Sequence, residues 1–253
     1  MKVAFAGKGG SGKTTVSGTT ARVLADEGFD VIAIDGDANP NLGTTLGLPR
    51  ESFDSGSPLT RDLLRVNGDN RGGSVSTLAK PLEEIISEHS ILAPGGITLL
   101  TMGRAEQAGS GCMCSNHAAV RVIIREIDDS DKAVVLDMEA SPEHMTRAST
   151  EHVEHMLLVA EAYFKSLETA RRYHRLATDL GIPNVSVVAN KVQPGDDNVV
   201  AEYCKAHGFD LIASIPNEPK FAEAERLGAA PFDVAPESPG VLAIRGLVKE
   251  LTG

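Results

Sequence analysis

Residues 7–15 read GKGGSGKTT, between the apolar run KVAFA (2–6) and a helix-like stretch from about Lys13 to Glu27. These nine residues satisfy two patterns at once. Gly7, Gly9 and Gly12 fit G-x-G-x-x-G, the dinucleotide fingerprint, and Asp35 stands at about the distance from which an acid meets a ribose. The same residues fit G-x-x-x-x-G-K-[ST], a phosphate loop, which is the more demanding pattern because it fixes a cation and a hydroxyl. Glycines let backbone N–H groups turn toward phosphate oxygens, and the following helix N-terminus adds positive potential. In this reading Gly7, Gly9, Gly10, Ser11, Gly12 and Thr15 form the cradle. Lys13 neutralises β- and γ-phosphate charge, and the Thr14 hydroxyl is a ligand for Mg²⁺. Hydride transfer has no use for a lysine and threonine there, so strand, loop and helix together predict a nucleoside triphosphate site.

Working outward, the apolar runs at 29–35, 96–103 and 132–139, and within 153–162, 185–192 and 209–216, predict further strands. KSLETARRYHRLATDLG (165–181), AAVRVIIREI (118–127) and the segment carrying Cys204 read as helices. LTRDLLRV (59–66) and PLEEIISEH (81–89) read as short amphipathic helices. Continuous apolar strands alternating with helices imply an α/β fold, a mostly parallel sheet covered on both faces. Val241, Ile244, Leu247, Val248 and Leu251 fall at helical spacing and predict a C-terminal helix docked on that sheet. With no repeat and no low-complexity linker, one P-loop domain over residues 1–253 is the expected organisation.

A net charge of −11 argues against a general nucleic-acid or anionic-membrane surface, so neither is expected as a partner. No window reaches the length of a membrane span, and the apolar start is too short for an export signal. Three cysteines then point to a reducing cytoplasm and free thiols.

Lys8 follows the first loop glycine, and phosphate cradling within one chain does not need it. KGGSGKT resembles the deviant phosphate loop of the MinD, ParA and nitrogenase iron-protein superfamily of ATPases. The resemblance implies ATP as nucleotide and a face-to-face homodimer in which Lys8 reaches the partner's nucleotide. It implies that IDGDANPNLG (34–43) is the first switch, with Asp35 in the magnesium shell and Asp37 positioning or activating the attacking water. VVLDMEASPEH (134–144) is similar to the second switch, with Asp137 reaching Mg²⁺ through water. VVANKV (187–192) makes Asn190 the adenine-reading candidate, and IPNEP (215–219), including Pro216, should line the base. On the residues alone, acids at strand ends and an asparagine capping a strand are also ordinary features of α/β proteins.

Cys112 and Cys114 form a C-x-C pair after a Gly-Ser-Gly. Thiolates bind soft or borderline ions, and a tetrahedral or square site needs about four ligands. Two copies related by a dimer axis would supply four. The pair, Arg121 and LDMEASPEH resemble the CooC type of ATPase, which helps insert nickel into carbon monoxide dehydrogenase. That resemblance implies Ni²⁺ or Zn²⁺ at the dimer interface and a client metalloenzyme such as carbon monoxide dehydrogenase. The chain departs from that type at Ser115 and at Ser141-Pro142. A four-iron cluster shared between subunits, a redox pair, or two packed core cysteines are the other readings of C-x-C, and His117 reads first as a surface or helix-start histidine and second as a substitute ligand. Beside the maturation ATPase stand two alternatives, a MinD/ParA-type positioning ATPase and a dinucleotide-dependent oxidoreductase.

Overall fold

The computed structural model describes residues 1–68, 74–102, 114–128, 132–139 and 152–253. Within them the strands are β1 (Lys2–Gly7), β2 (Asp30–Gly36), β3 (Leu64–Gly68), β4 (Ser74–Leu78), β5 (Ile91–Ala93), β6 (Ile97–Thr101), β7 (Lys132–Met138), β8 (His155–Ala160), β9 (Asn184–Val192) and β10 (Asp210–Pro216). The α-helices are α1 (Lys13–Asp26), α2 (Leu42–Leu46), α3 (Leu82–His89), α4 (Cys114–Glu126), α5 (Phe164–Asp179), α6 (Asp197–His207), α7 (Pro219–Leu227), α8 (Pro231–Val234) and α9 (Pro239–Thr252).

Eight strands form one sheet in the order β10-β9-β8-β1-β7-β2-β6-β5, parallel except for the β5–β6 edge pair. The continuous apolar runs have their cause here. β1 sits between β7 and β8 with every residue buried, and beyond Lys2 neither of its faces carries a polar side chain. One side of the sheet is covered by α1, α2, α8 and α9, whose buried residues join Val3, Phe5, Val135 and Leu157 in one core. The other side is covered by α3, α4, α5 and α6, packed on Ala4, Ala6, Leu136 and Leu158.

The C-terminal helix docks as its spacing predicts: Val241, Ile244, Leu247, Val248 and Leu251 are all buried. Each such side chain contributes about 1.5–3 kcal/mol on burial. Its start is set by Pro239 in the first turn and by the Ser238 hydroxyl, which accepts from the Val241 N–H. Cys204 is buried in α6, and that burial pushes its thiol pKa up, as befits an inert core cysteine.

One expectation needs correction. LTRDLLRV is not an amphipathic helix: only Arg61–Leu63 form a single 3₁₀ turn, and Leu64 begins β3. An antiparallel partner, β4, offers the backbone of residues 64–68 a ladder that a lone eight-residue helix could not match. The short strand β5 passed unnoticed because three residues carry no legible period. No helix among the described residues is long and apolar enough to cross a membrane.

Candidate functional site

The parallel strands end their carboxyl termini along one edge of the sheet, where ligands of such folds bind. β1 runs into the 7–15 loop there, and α1 starts at Lys13 with Gly12 as its N-cap. Gly12 holds φ at +85°, a left-handed conformation, and a Cβ on it would collide with Asn190 Nδ2. A Cβ on Gly7 would stand 2.5 Å from the Val159 carbonyl oxygen. The glycines are therefore required twice over, by backbone angle and by close approach. With no side chain at the N-cap, the first-turn N–H groups of α1 are not taken by capping and face the loop.

Lys13 and Thr14 converge on one carboxylate. Lys13 Nζ donates to Asp137 Oδ1 at 2.8 Å, and the Thr14 hydroxyl donates to Asp137 Oδ2 at 2.6 Å. Both members of the ion pair are buried. Asp35 lies beside it, because β2 pairs with β7 in the register that sets Asp35 opposite Asp137. Burial chiefly, and next the charge of Asp137, raise the Asp35 pKa to about 7. Its oxygens accept backbone N–H groups from Asp37 at 3.1 Å, Asn41 at 2.9 Å and Leu42 at 2.8 Å. Asp35 thus shapes the loop that carries Asp37, whose own carboxylate accepts the Asn39 N–H at 2.9 Å.

Lys13, Thr14 and Asp37 border a cavity of about 440 Å³, large enough for a nucleotide, with Asp35 and Asp137 buried behind them. Lys8, Gly9, Gly10, Gly12, Lys13, Thr14, Thr15 and Asp37 line one end, and Asn190, Pro216 and Phe221 the other. The structure therefore brings together the phosphate-loop residues, the acid loop and the expected base-lining segment. Gly7 and Ser11 are the exceptions within the loop: Gly7 ends β1, and the Ser11 hydroxyl is buried beneath the cradle. Donor set and cradle fit a magnesium nucleotide: glycine backbone at the phosphates, an ammonium, a hydroxyl and two buried carboxylates.

Residues 2–232 match the family model for the CobQ/CobB/MinD/ParA nucleotide binding domain. The chain belongs to that family. It is a P-loop ATPase, and the wider comparisons agree. It is 38% identical to the carbon monoxide dehydrogenase accessory protein CooC of Rhodospirillum rubrum, over 93% of this chain and 91% of that one. It is 36% identical to an uncharacterized ATP-binding protein of Methanocaldococcus jannaschii, over 90% of each. Among solved structures it superposes on the septum site-determining protein MinD of Pyrococcus horikoshii, complexed with Mg-ADP, with a TM-score of 0.76. That match has 20% identity and covers 99% of this chain and 96% of that one.

In this ATPase Lys8, which lines the cavity, also reaches Tyr163. Its Nζ donates to the Tyr163 hydroxyl at 3.4 Å and stands 5.7 Å from the centre of the Tyr163 ring. Asn190 is buried, and its Nδ2 donates to the Ser11 carbonyl at 2.7 Å, so it braces the loop as well as lining the cavity.

Lys191 is a site residue that the sequence reading passed over. Alone among the described non-glycine residues it has positive φ, at 56°. Its Nζ donates to the Gly10 carbonyl at 2.5 Å and faces Glu161 at 3.6 Å. Such backbone strain concentrates at functional sites. The only sequence signal was its place next to Asn190.

Cys112 lies outside the described residues, as do the Gly-Ser-Gly before it and Ser141-Pro142 of the second switch. Cys114 is the first residue of α4, which begins four residues earlier than its apolar period suggested. Asn116 Nδ2 donates to the Met102 carbonyl at 3.3 Å, tying the first turn of α4 to the end of β6. His117 lies in that first turn, as a helix-start histidine, but it is buried and not on the surface. Among the described residues there is no group of three or more His, Cys, Asp or Glu that could hold a metal ion.

Proposed function

We propose that this ATPase is a maturation factor that dimerises on ATP and carries a soft metal ion between the thiolates of Cys112 and Cys114 from two chains. Its client would be a nickel enzyme such as carbon monoxide dehydrogenase, and the ion, Ni²⁺ or Zn²⁺, is cargo. The observation that carries the reading is the 38% identity to CooC across nine-tenths of both chains.

The residues divide the work as follows. The N–H groups of Gly9 to Gly12 and the start of α1 bind phosphate oxygens, and Lys13 exchanges Asp137 for the β- and γ-phosphates. Thr14, Asp137 and Asp35 would hold Mg²⁺, which when bound neutralises charge on the phosphate oxygens. Asp37 orients water for attack on the γ-phosphorus. The bond to the β-phosphate oxygen breaks, ADP leaves, and the water proton passes to Asp37 and on to solvent. Asn190 and Pro216 border the base. Lys8 leaves Tyr163 to meet the partner's phosphates, so closing the dimer moves an exposed side chain and no core group. A metal site built on the dimer axis changes geometry between open and closed forms, which is the differential affinity that release requires.

The test is metal titration of the protein with ADP and with a non-hydrolysable ATP analogue, beside the Cys112→Ala/Cys114→Ala double variant. The expected result is one ion per dimer, lost in the variant. Equal uptake by both proteins ends the metal-carrier reading and leaves the ATPase intact.

A further inference from the structure

Asn190 and Lys191 are consecutive residues of β9, and a regular strand would aim them to opposite faces of the sheet. Both nevertheless reach the phosphate loop, and on adjacent carbonyls: Asn190 donates to Ser11 and Lys191 to Gly10. The register between β9 and β10 explains how. Ala189 pairs with Ser214 and Val192 with Pro216, so β9 places two residues, Asn190 and Lys191, against the single Ile215 of β10. This is a β-bulge, a feature that re-aims side chains beside functional sites. It leaves Lys191 at a φ of 56°, a left-handed conformation that glycine would adopt without strain. A strained lysine there is explained by what its side chain does. Its Cε stands 3.6 Å from the position a Cβ on Gly12 would take, and its Nζ lies 2.5 Å from the Gly10 carbonyl oxygen. Glu161, directly after β8, faces the ammonium at 3.6 Å, and the Glu161 N–H is held by the buried Ser166 hydroxyl at 2.9 Å. Gly10, with φ at +84°, is the third residue of a tight turn in which the Ser11 N–H donates to the Lys8 carbonyl at 3.0 Å. The C=O and N–H of a trans peptide point in opposite directions. A grip on the Gly10 carbonyl therefore sets the Ser11 N–H that closes the turn, and the Asn190 bond does the same for the Gly12 N–H.

We propose that Lys191 is a positioning residue for nucleotide binding, which holds the phosphate loop in its binding shape through the Gly10 carbonyl while Glu161 orients its ammonium. The proposal rests on the nucleotide roles given above and not on the metal cargo. A loop held in shape before the ligand arrives removes an ordering cost that ADP and ATP would otherwise both meet. Loss of the grip is then felt equally in the ground state and the transition state, so KM rises and kcat stays. The bulge supplies what a regular strand cannot, two neighbouring side chains on two neighbouring peptides of one loop.

The experiment compares wild type with Lys191→Gly, Lys191→Ala and Lys191→Arg. Each is measured for thermal midpoint, for affinity toward magnesium–ADP and a magnesium–non-hydrolysable ATP analogue, and for KM and kcat of ATP hydrolysis. The glycine and alanine variants should bind both nucleotides about tenfold more weakly, as expected for loss of one charged hydrogen bond. Their KM should rise by a similar factor while kcat stays within about twofold of wild type. Lys191→Arg keeps a cation and a donor, and its affinity should stay within about threefold of wild type. Lys191→Gly should melt no lower than Lys191→Ala, because it alone relaxes the left-handed backbone. The proposal is overturned if the glycine and alanine variants bind nucleotide as wild type does, or if arginine is as weak as alanine. It is equally overturned if kcat falls at unchanged KM, since Lys191 would then act on the transition state, or if glycine melts below alanine. Absence of nucleotide binding by wild type would instead strike the nucleotide roles themselves, which separates the two failures.

Discussion

The two faces of the sheet are held by different means. On the α1 face, charge crosses between elements. Arg22 of α1 donates to both carboxylate oxygens of Asp233 on α8, at 2.9 and 2.6 Å, and to the Leu46 carbonyl at 2.7 Å. The guanidinium of Arg22 lies 5.0 Å from the Phe232 ring, and Arg245 of α9 lies 5.3 Å from the same ring. On the α5 face the core is mostly apolar, with Ser166, the Tyr173 hydroxyl and His117 of α4 as polar exceptions, and the polar cluster sits at its rim. There Glu168 accepts from Arg171 and from the Tyr203 hydroxyl, while His174 stacks on Phe209. The difference teaches where a single side chain matters. Polar groups paired across elements, and buried, fix one arrangement and fail together when a partner is removed. Apolar contacts are spread over many neighbours, and rim pairs are screened by water.

Three substitutions probe this contrast. The largest effect belongs to Lys13→Ala. It removes the phosphate cation and strands the buried Asp137 carboxylate, so ATP hydrolysis should fall on the order of a thousandfold. The free protein should also melt at lower temperature, because one member of a buried pair is lost. A variant that hydrolyses ATP at near wild-type rate would place the phosphates elsewhere.

Next comes Arg22→Ala, which breaks the clamp between α1, α2 and α8 without touching the nucleotide cavity. Stability should drop by about 1–3 kcal/mol in urea unfolding, chiefly because the Leu46 carbonyl loses its donor while the half-exposed Asp233 turns to water. Arg22→Lys should recover only part of it, since an ammonium cannot grip both oxygens of Asp233 in the planar fork. Nucleotide affinity in the folded fraction should remain within about twofold, the margin expected when no ligand contact is altered. If the alanine variant were as stable as wild type, the contrast between the faces would collapse.

The smallest effect is expected at the rim. Hydrogen bonds from Arg171 and then Tyr203 lower the pKa of Glu168 to about 2. A carboxyl depressed in the folded state stabilises above its unfolded pKa, and that contribution disappears as pH falls through the folded value. Wild type and Glu168→Gln should therefore differ slightly in melting temperature at neutral pH and converge as pH approaches 2. A difference that widened on acidification would reverse the assigned sign.

Much of the site was legible because phosphate chemistry demands fixed residue types at fixed spacing. Lys13, Thr14 and the glycines fall where the nine-residue pattern put them, around one cavity. The acids at the ends of β2 and β7 were also legible, since continuous apolar runs stop on them. What escaped were roles set by register and backbone angle. Asp35 spends its oxygens on three backbone N–H groups because its strand delivers it below a loop that turns back over it. Asn190 braces Ser11, and Lys191 reaches Gly10 from a left-handed backbone, neither of which composition or spacing reveals. The β3–β4 hairpin was misread for a related reason. Eight residues with a mixed pattern are decided by the partner strand, which local propensity does not contain.

By itself, then, the sequence determined the parallel α/β architecture, the phosphate loop and the identities of the charged groups at its edge. Those follow from short-range constraints: apolar continuity, glycine geometry, and a lysine and hydroxyl placed for phosphate. Only the tertiary structure decided that Asp35 and Asp137 stand side by side, that Lys8 rests on Tyr163, and that Asn190 braces the Ser11 carbonyl. Each of these depends on the register or packing of elements far apart in the chain. Electrostatic coupling and hydrogen-bond satisfaction exist only once those elements share a low-dielectric interior.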